Sequence, residues 1–248
     1  MATFPALVDA SSSPLPTVDG VLDGSFRVVR LSRDGTRFRV VLRGPRRSEG
    51  GRLSRREQTI VRRLVLGHCQ KLVAFDFGLA HTTVSSHLRS SLDKMGLERW
   101  EVAVLVAAIV EGAHTPLDPT PEDALQVGPL APGERVVALE RDVGGKAFVR
   151  LTEAERAVAL RIVEGRTNAE IGLERSSSAR TVANQVSSVF RKAEVHGRCE
   201  LIRLLLLGRE QTERTLAPNS DEPPVSGRST RGVGTSTASA SEDAPTPA

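Results

Sequence analysis

Apolar and polar positions change period along this chain, and the changes mark its elements. After Ser54, apolar residues fall at Ile60, Val61, Leu64 and Val65, the one-sided stripe of an amphipathic helix. The same stripe returns at Val158, Ala159, Ile162 and Val163. Ser54-x-x-Glu57 and Thr152-x-x-Glu155 stand before the two stripes as capping boxes, in which hydroxyl and carboxylate satisfy orphan amides at a helix start. Gly67 and Gly165 follow them, suited to left-handed C-terminal caps. A short second helix is expected from Gln70 to Phe77 and from Asn168 to Arg175. A third carries Val84, Leu88, Leu92 and Met95, or Val182, Val186, Phe190 and Ala193. A fourth holds Val102, Leu105 and Ile109, or Leu201, Leu204 and Leu205. A tight turn between the second and third helices makes each set a helix-turn-helix module.

Elsewhere the period falls to two. Phe26 and Val28, then Val40 and Leu42, flank Asp34-Gly35, which predicts a β-hairpin over 21–47. Arg27-Val-Val-Arg-Leu-Ser-Arg-Asp34 is echoed by Arg135-Val-Val-Ala-Leu-Glu-Arg-Asp142. With Gly144 and Gly145 as turn residues, the echo predicts a second hairpin over 134–149.

The likeness extends to a full internal repeat. Leu53-Ser-Arg-Arg-Glu57 aligns with Leu151-Thr-Glu-Ala-Glu155 at an offset of 98. At that offset Arg63 meets Arg161, Thr83-Val84 meets Thr181-Val182, Ser90 meets Ser188 and Lys94 meets Lys192. One gap then sets Glu101 against Glu200 and Leu105 against Leu204. The expected organisation is mainly α: two four-helix modules at 52–112 and 150–210, each preceded by its hairpin. Residues 1–20 and 211–248 are rich in Pro, Ser and Thr and poor in large apolar groups, so both ends are expected to be disordered. Residues 113–133, with Pro116, Pro119, Pro121, Pro129 and Pro132, read as an extended linker.

Charge sharpens this picture. The net charge is only +4, yet residues 26–47 hold eight Arg against Asp34 alone. A run of this kind is either a solvated face or a phosphate-contacting one. Cys69 and Cys199 are the only cysteines, which leaves no disulfide framework or cysteine-based zinc site. The histidines form no ligand spacing, and no Gly-rich phosphate loop or nucleophile constellation is present, so neither an enzyme nor a cofactor is expected. The longest apolar run, Val102 to Val110, is too short to span a bilayer, and the start of the chain is unlike a signal peptide, so a cytoplasmic location is expected.

Several of these residues together resemble the LuxR-type (GerE-type) DNA-binding domain of bacterial transcription regulators. Copy one carries the pattern in Leu53, Ser54, Glu57, Gly67, Thr83, Val84, His87, Lys94, Gly96 and Leu97. Copy two carries it in Leu151, Thr152, Glu155, Gly165, Thr181, Val182, Lys192 and Val195. The resemblance implies a third helix that reads the major groove of double-stranded DNA. The base-reading positions it implies are Ser85, Ser86 and Arg89, and Ala183, Asn184 and Ser187. Arg89 suits guanine O6 and N7, and Asn184 suits adenine N6 and N7. Phosphates would fall to Lys71, Thr82 and Thr83, and to Asn168, Arg180 and Thr181. RNA polymerase is a candidate second partner. Two assemblies are compatible with the repeat, a monomer with paired copies and a homodimer. Copy two departs from the pattern in its turn: Phe77-Gly78-Leu79 has become Arg175-Ser176-Ser177. Looser packing is expected there, and a non-DNA-binding adaptor that acts through protein contacts is the competing reading.

Overall fold

The computed structural model describes residues 15–45, 53–113 and 115–216. The elements, in order, are α1 (Val18–Leu22), β1 (Arg27–Asp34), β2 (Arg37–Gly44), α2 (Arg55–Val65), α3 (Gln70–Asp76), α4 (His81–Met95), α5 (Trp100–Gly112), α6 (Pro121–Val127), β3 (Arg135–Asp142), α7 (Gly145–Val149), α8 (Glu153–Val163), α9 (Asn168–Glu174), α10 (Ala179–Ala193), α11 (Arg198–Leu207) and α12 (Arg209–Leu216). Copy one of the repeat is α2 to α5, and copy two is α8 to α11.

Both expected capping boxes form, at Ser54 with Glu57 and at Thr152 with Glu155. The first three helices of each copy start and stop 98 residues apart. So do the left-handed C-caps Gly96 and Glu194, and the N-caps Arg99 and Gly197 of the fourth helices. The backbone therefore needs no gap before the fourth helix. The Glu101–Glu200 match is a likeness of side chains one position out of structural register.

The first hairpin forms as expected, with Asp34 opposite Arg37 across the turn. The second does not. Arg135–Asp142 is a single strand, β3, laid antiparallel along β2 from Arg37↔Asp142 to Gly44↔Arg135. Residues 145–149 turn into helix α7 instead of a return strand. Gly145 takes φ 84° at the start of α7, so the chain leaves the sheet where a return strand would begin. The result is one three-stranded sheet, ordered β1-β2-β3, with strands from the leaders of both copies. On one face Val40 and Leu42 sit opposite Leu139 and Val137 and join the main core. On the other, Val41 and Ala138 pack against Val127 of α6.

Three expected disordered or extended segments contain helix. Residues 18–20 belong to α1. The proline-rich linker holds α6, with Pro121 in its first turn and a capping box from Thr120 to Asp123. Proline suits that position because its missing N–H would have no partner there. The tail continues as α12 to Leu216; residues 1–14 and 217–248 lie outside the described residues.

This linker helix accounts for the arginine run. Asp123 is buried and accepts from Arg39 at 2.7 Å and Arg30 at 3.3 Å. Arg30 also reaches Glu122, and Arg39 also reaches Glu140. Arg43 bonds to Glu134 and to the carbonyls of Val127 and Pro129. Arg37 faces Glu140 and Asp142, and Arg33 pairs with Glu164. The positive run is thus largely matched by acids of the same chain; Arg46 and Arg47 lie outside the described residues.

Helix α5 is buried on every side from Ala103 to Val110, and α11 from Leu201 to Leu207. A helix apolar all round must be enclosed by other elements. Here α5 lies against the sheet, α8 and α11, so the core runs without a break from the sheet through α5 into copy two. The remainder of copy one has two smaller clusters, around Val61 and Val65 and around Ile60, Leu64 and Val84.

Candidate nucleic-acid interface

Helices α4 and α10 each have fifteen residues and the same inward stripe. Val84 and Leu88 face inward in α4, as Val182, Val186 and Val189 do in α10. The orientation of each helix on its own copy is fixed by the same constellation. Lys94 Nζ lies 2.7 Å from Glu57, and Ser90 Oγ donates to Glu57 at 3.1 Å. Lys192 Nζ lies 2.7 Å from Glu155, and Ser188 Oγ donates to Glu155 at 2.7 Å. The capping carboxylate of the first helix thus also holds the C-terminal half of the third.

Burial on its own would raise the Glu57 carboxyl. Lys94, Ser54 and Ser90 reverse that and hold it at about 2. Lys192 is the main cause of the same shift in Glu155, also to about 2, helped by Thr152 and Ser188. A second repeated tie joins the first two helices, Arg63 to Asp76 at 2.9 Å and Arg161 to Glu174 at 2.6 Å. The sequence carried a signal for both ties, since Arg63, Ser90 and Lys94 matched their counterparts at an offset of 98. Identity at a repeat position gives no partner, so their role emerges only in the fold.

The turns differ. Gly78 takes φ 58° in copy one, and Ser176 takes φ 52° in copy two. In copy one Phe77 and Leu79 pack against the core of the module. That apolar plug is absent from copy two, where polar Arg175 and Ser177 take the same half-buried places. Capping stands in its place. Thr167 and Glu170 form a capping box on α9, and Ser178 caps α10 through the Thr181 amide. Their counterparts Cys69 and Ala80 give no side-chain cap to α3 or α4. Each such cap stabilises by about 1 kcal/mol, so two of them offset a good part of the lost packing.

Outward from these helices lie the positions singled out as base readers. Ser86, Arg89, Asn184 and Ser187 are exposed, and Ser85 and Ala183 are half-buried. Arg89 pairs with no acid among the described residues. The serines are already engaged. Ser85 donates to the carbonyl of His81, Ser86 to that of Thr82, and Ser187 to that of Ala183. Such back-bonding satisfies the hydroxyl within its own helix. Of the phosphate positions, Lys71, Thr82, Arg180 and Thr181 are exposed and Thr83 is half-buried. Asn168 is tied up, its Oδ1 accepting from Arg198 at 2.5 Å.

Two links that sequence reasoning missed join the copies. Arg99 Nη2 meets Glu170 Oε1 at 2.5 Å, and Arg99 Nη1 reaches the Gly165 carbonyl at 2.9 Å. That guanidinium, with Thr167, holds Glu170 at about 2. Arg203 of α11 meets Glu111 of α5 at 3.0 Å. No helix among the described residues is long and apolar enough to cross a membrane.

Residues 52–107 and 149–205 each match the family model described as bacterial regulatory proteins, luxR family. No curated protein and no solved structure matches the chain at a significant level.

Proposed function

From the premise of two tandem LuxR-type helix-turn-helix domains, the DNA-binding module of transcription regulators, we propose that one chain reads two half-sites of double-stranded DNA. Helices α4 and α10 enter successive major grooves, and α5 packed on α11 does the work of a dimer interface. The observation that carries this reading is that packing, because it joins the two modules through one buried core. Arg89 is the strongest base reader, bidentate to guanine, and Asn184 is its counterpart for adenine. Ser85, Ser86, Ala183 and Ser187 contribute shape and weak contacts. Lys71, Thr82, Thr83, Arg180 and Thr181 hold phosphates, with Asn168 joining them only if Arg198 lets it go. RNA polymerase is the partner that an activator of this kind would recruit.

The test is selection of binding sites from random duplex DNA by the full-length chain, followed by electrophoretic shift and mass measurement of the complex. One chain per site is expected, with two unlike half-sites. Arg89→Ala is expected to weaken binding by about 1–3 kcal/mol and to relax preference at one base pair. Two chains per site, or no enriched sequence, would reject the proposal.

One observation favours the adaptor reading. Phe75 on α3 and Leu173 on α9 are equivalent positions, 84% and 82% exposed. An adaptor would lose partner binding when both are changed to Ser, with Arg89→Ala having no effect on function.

A further inference from the structure

Helices α5 and α11 meet through largely apolar faces, with Arg203 of α11 set against Glu111 of α5 in their midst. The Arg203 side chain has no exposed surface, and Glu111 keeps 20%. A second guanidinium nitrogen of Arg203 reaches the Val65 carbonyl at 3.3 Å. Both bonds cross from copy two to copy one. The guanidinium is incompletely satisfied, since Nε has no hydrogen-bond partner. Burial pulls its pKa down, against the opposing pull of Glu111.

Removing such a charge from water costs several kcal/mol, and an apolar side chain of similar size commonly does as well or better for stability. Copy one has that solution. At the equivalent position stands Leu105, fully buried. The counterpart of Glu111 is Arg209, which is exposed and pairs with Glu194 at 3.0 Å and Glu213 at 3.8 Å. The charge pair therefore occurs once, between unlike copies, with no mirrored equivalent. A feature that adds little stability and breaks the symmetry of an interface is suited to choosing partners.

We infer that Arg203 and Glu111 select the pairing of the fourth helices, directing α11 onto α5 and against like-with-like pairing between chains. In an α11–α11 contact of the same geometry, Arg203 would face Arg209. In an α5–α5 contact, Glu111 would face Leu105. The first opposes like charges and the second sets a carboxylate against an apolar surface. With only α5–α11 pairing left, the connecting segment makes the contact intrachain by proximity. The inference rests on the paired arrangement used in the proposed function, but not on DNA recognition.

The experiment uses the full-length chain without DNA, with mass followed by light scattering over a range of concentrations. The parent chain is expected to be monomeric. Arg203→Glu sets like charges across α5–α11 and opposite charges across α11–α11. It is expected to raise the dimer fraction at a fixed concentration at least tenfold. The double variant R203E/E111R is expected to return to monomer. Arg203→Leu, which removes the selecting charge and sets Glu111 against an apolar side chain, is expected to stay folded and to dimerise to a degree between the parent and R203E. A dimeric parent chain, a monomeric R203E, or a double variant that dimerises as fully as R203E would overturn the selector. If R203E loses helicity, recovery in the double variant supports charge complementarity, and failure to recover rejects it. Since no DNA is present, the selector fails separately from the groove-reading proposal.

Discussion

Asp123 is the residue that ties the linker helix α6 to strands β1 and β2. It is 1% exposed, caps α6 through the Thr120 amide at 2.9 Å, and accepts from Arg39 and Arg30. Burial acts to raise its pKa, but the Thr120 bonds and Arg39 outweigh that and hold it below its usual value. Asp123→Ala removes the N3 half of the capping box, its bond to the Thr120 amide, worth about 1 kcal/mol. It also removes a charge-assisted hydrogen bond worth about 1.5–3 kcal/mol. Arg39 keeps Glu140 at 2.8 Å and the Asp118 carbonyl at 3.2 Å, so it is not stranded. The expected loss is therefore about 3 kcal/mol, the low end of the 3–5 found when one partner of a buried pair is removed. At about 2–4 °C per kcal/mol for a chain of this size, the melting temperature should fall by about 6–12 °C. Asp123→Asn keeps a capping oxygen and loses the charge, so it should fall between Ala and the parent. Glu122→Ala, at a position 76% exposed, should cost no more than about 0.5 kcal/mol. Thermal and urea unfolding followed by circular dichroism measure all three. Equal effects of Asp123→Ala and Glu122→Ala would refute the account of α6 as a clamp.

Acid should weaken the fold in a defined window. Glu57, Glu155 and Glu170 are lowered from 4.5 to about 2, so their stabilisation is complete above the unfolded value and is lost as pH falls from about 4.5 towards 2. Urea midpoints that stay flat through that window would contradict it. Ser176→Gly should stabilise copy two by about 1 kcal/mol by relieving a left-handed serine; a calorimetric scan showing no gain counts against that strain. Neutralising Arg30 or Arg43 should leave the salt dependence of DNA binding unchanged, because their charge is already matched within the chain. Removing Lys71 or Arg180 should each lower the slope by about 1. The reverse pattern would return the hairpin to the DNA surface.

The sequence made some features legible and concealed others for physical reasons. Capping boxes and apolar stripes are local, so the three leading helices of each module could be placed within a residue or two. The second hairpin failed because alternation reports a period and not a partner. β3 pairs with a strand about a hundred residues earlier, and nothing near Gly145 says so. The helix inside the linker had a signal, Thr120-Pro121-x-Asp123, that the density of prolines obscured. The arginine run read as a solvated or a phosphate-contacting face, because only the register of β1 and β2 brings Arg30, Arg39 and Arg43 to the acids of the linker. Positions on the third helices were legible as outward-facing, yet the capture of Asn168 by Arg198 was not.

One consequence of the shared core bears on how the two modules can differ. In a homodimer both recognition helices come from one sequence, so any change appears in both half-sites. Here α5 and α11 are unlike, and the Arg203–Glu111 pair marks which is which. On the proposed reading each reading helix is then free to diverge: Arg89 has become Ser187 in copy two, and Ser86 has become Asn184. The resulting site has a direction, with guanine preferred under α4 and adenine under α10. Exchanging the three reading residues of copy one with those of copy two, and making the reciprocal exchange, should invert the order of half-sites recovered by selection. The fold would be undisturbed, because all six positions lie outside the buried stripes of α4 and α10. Recovery of the original order from the exchanged chain would mean that these helices do not read the bases.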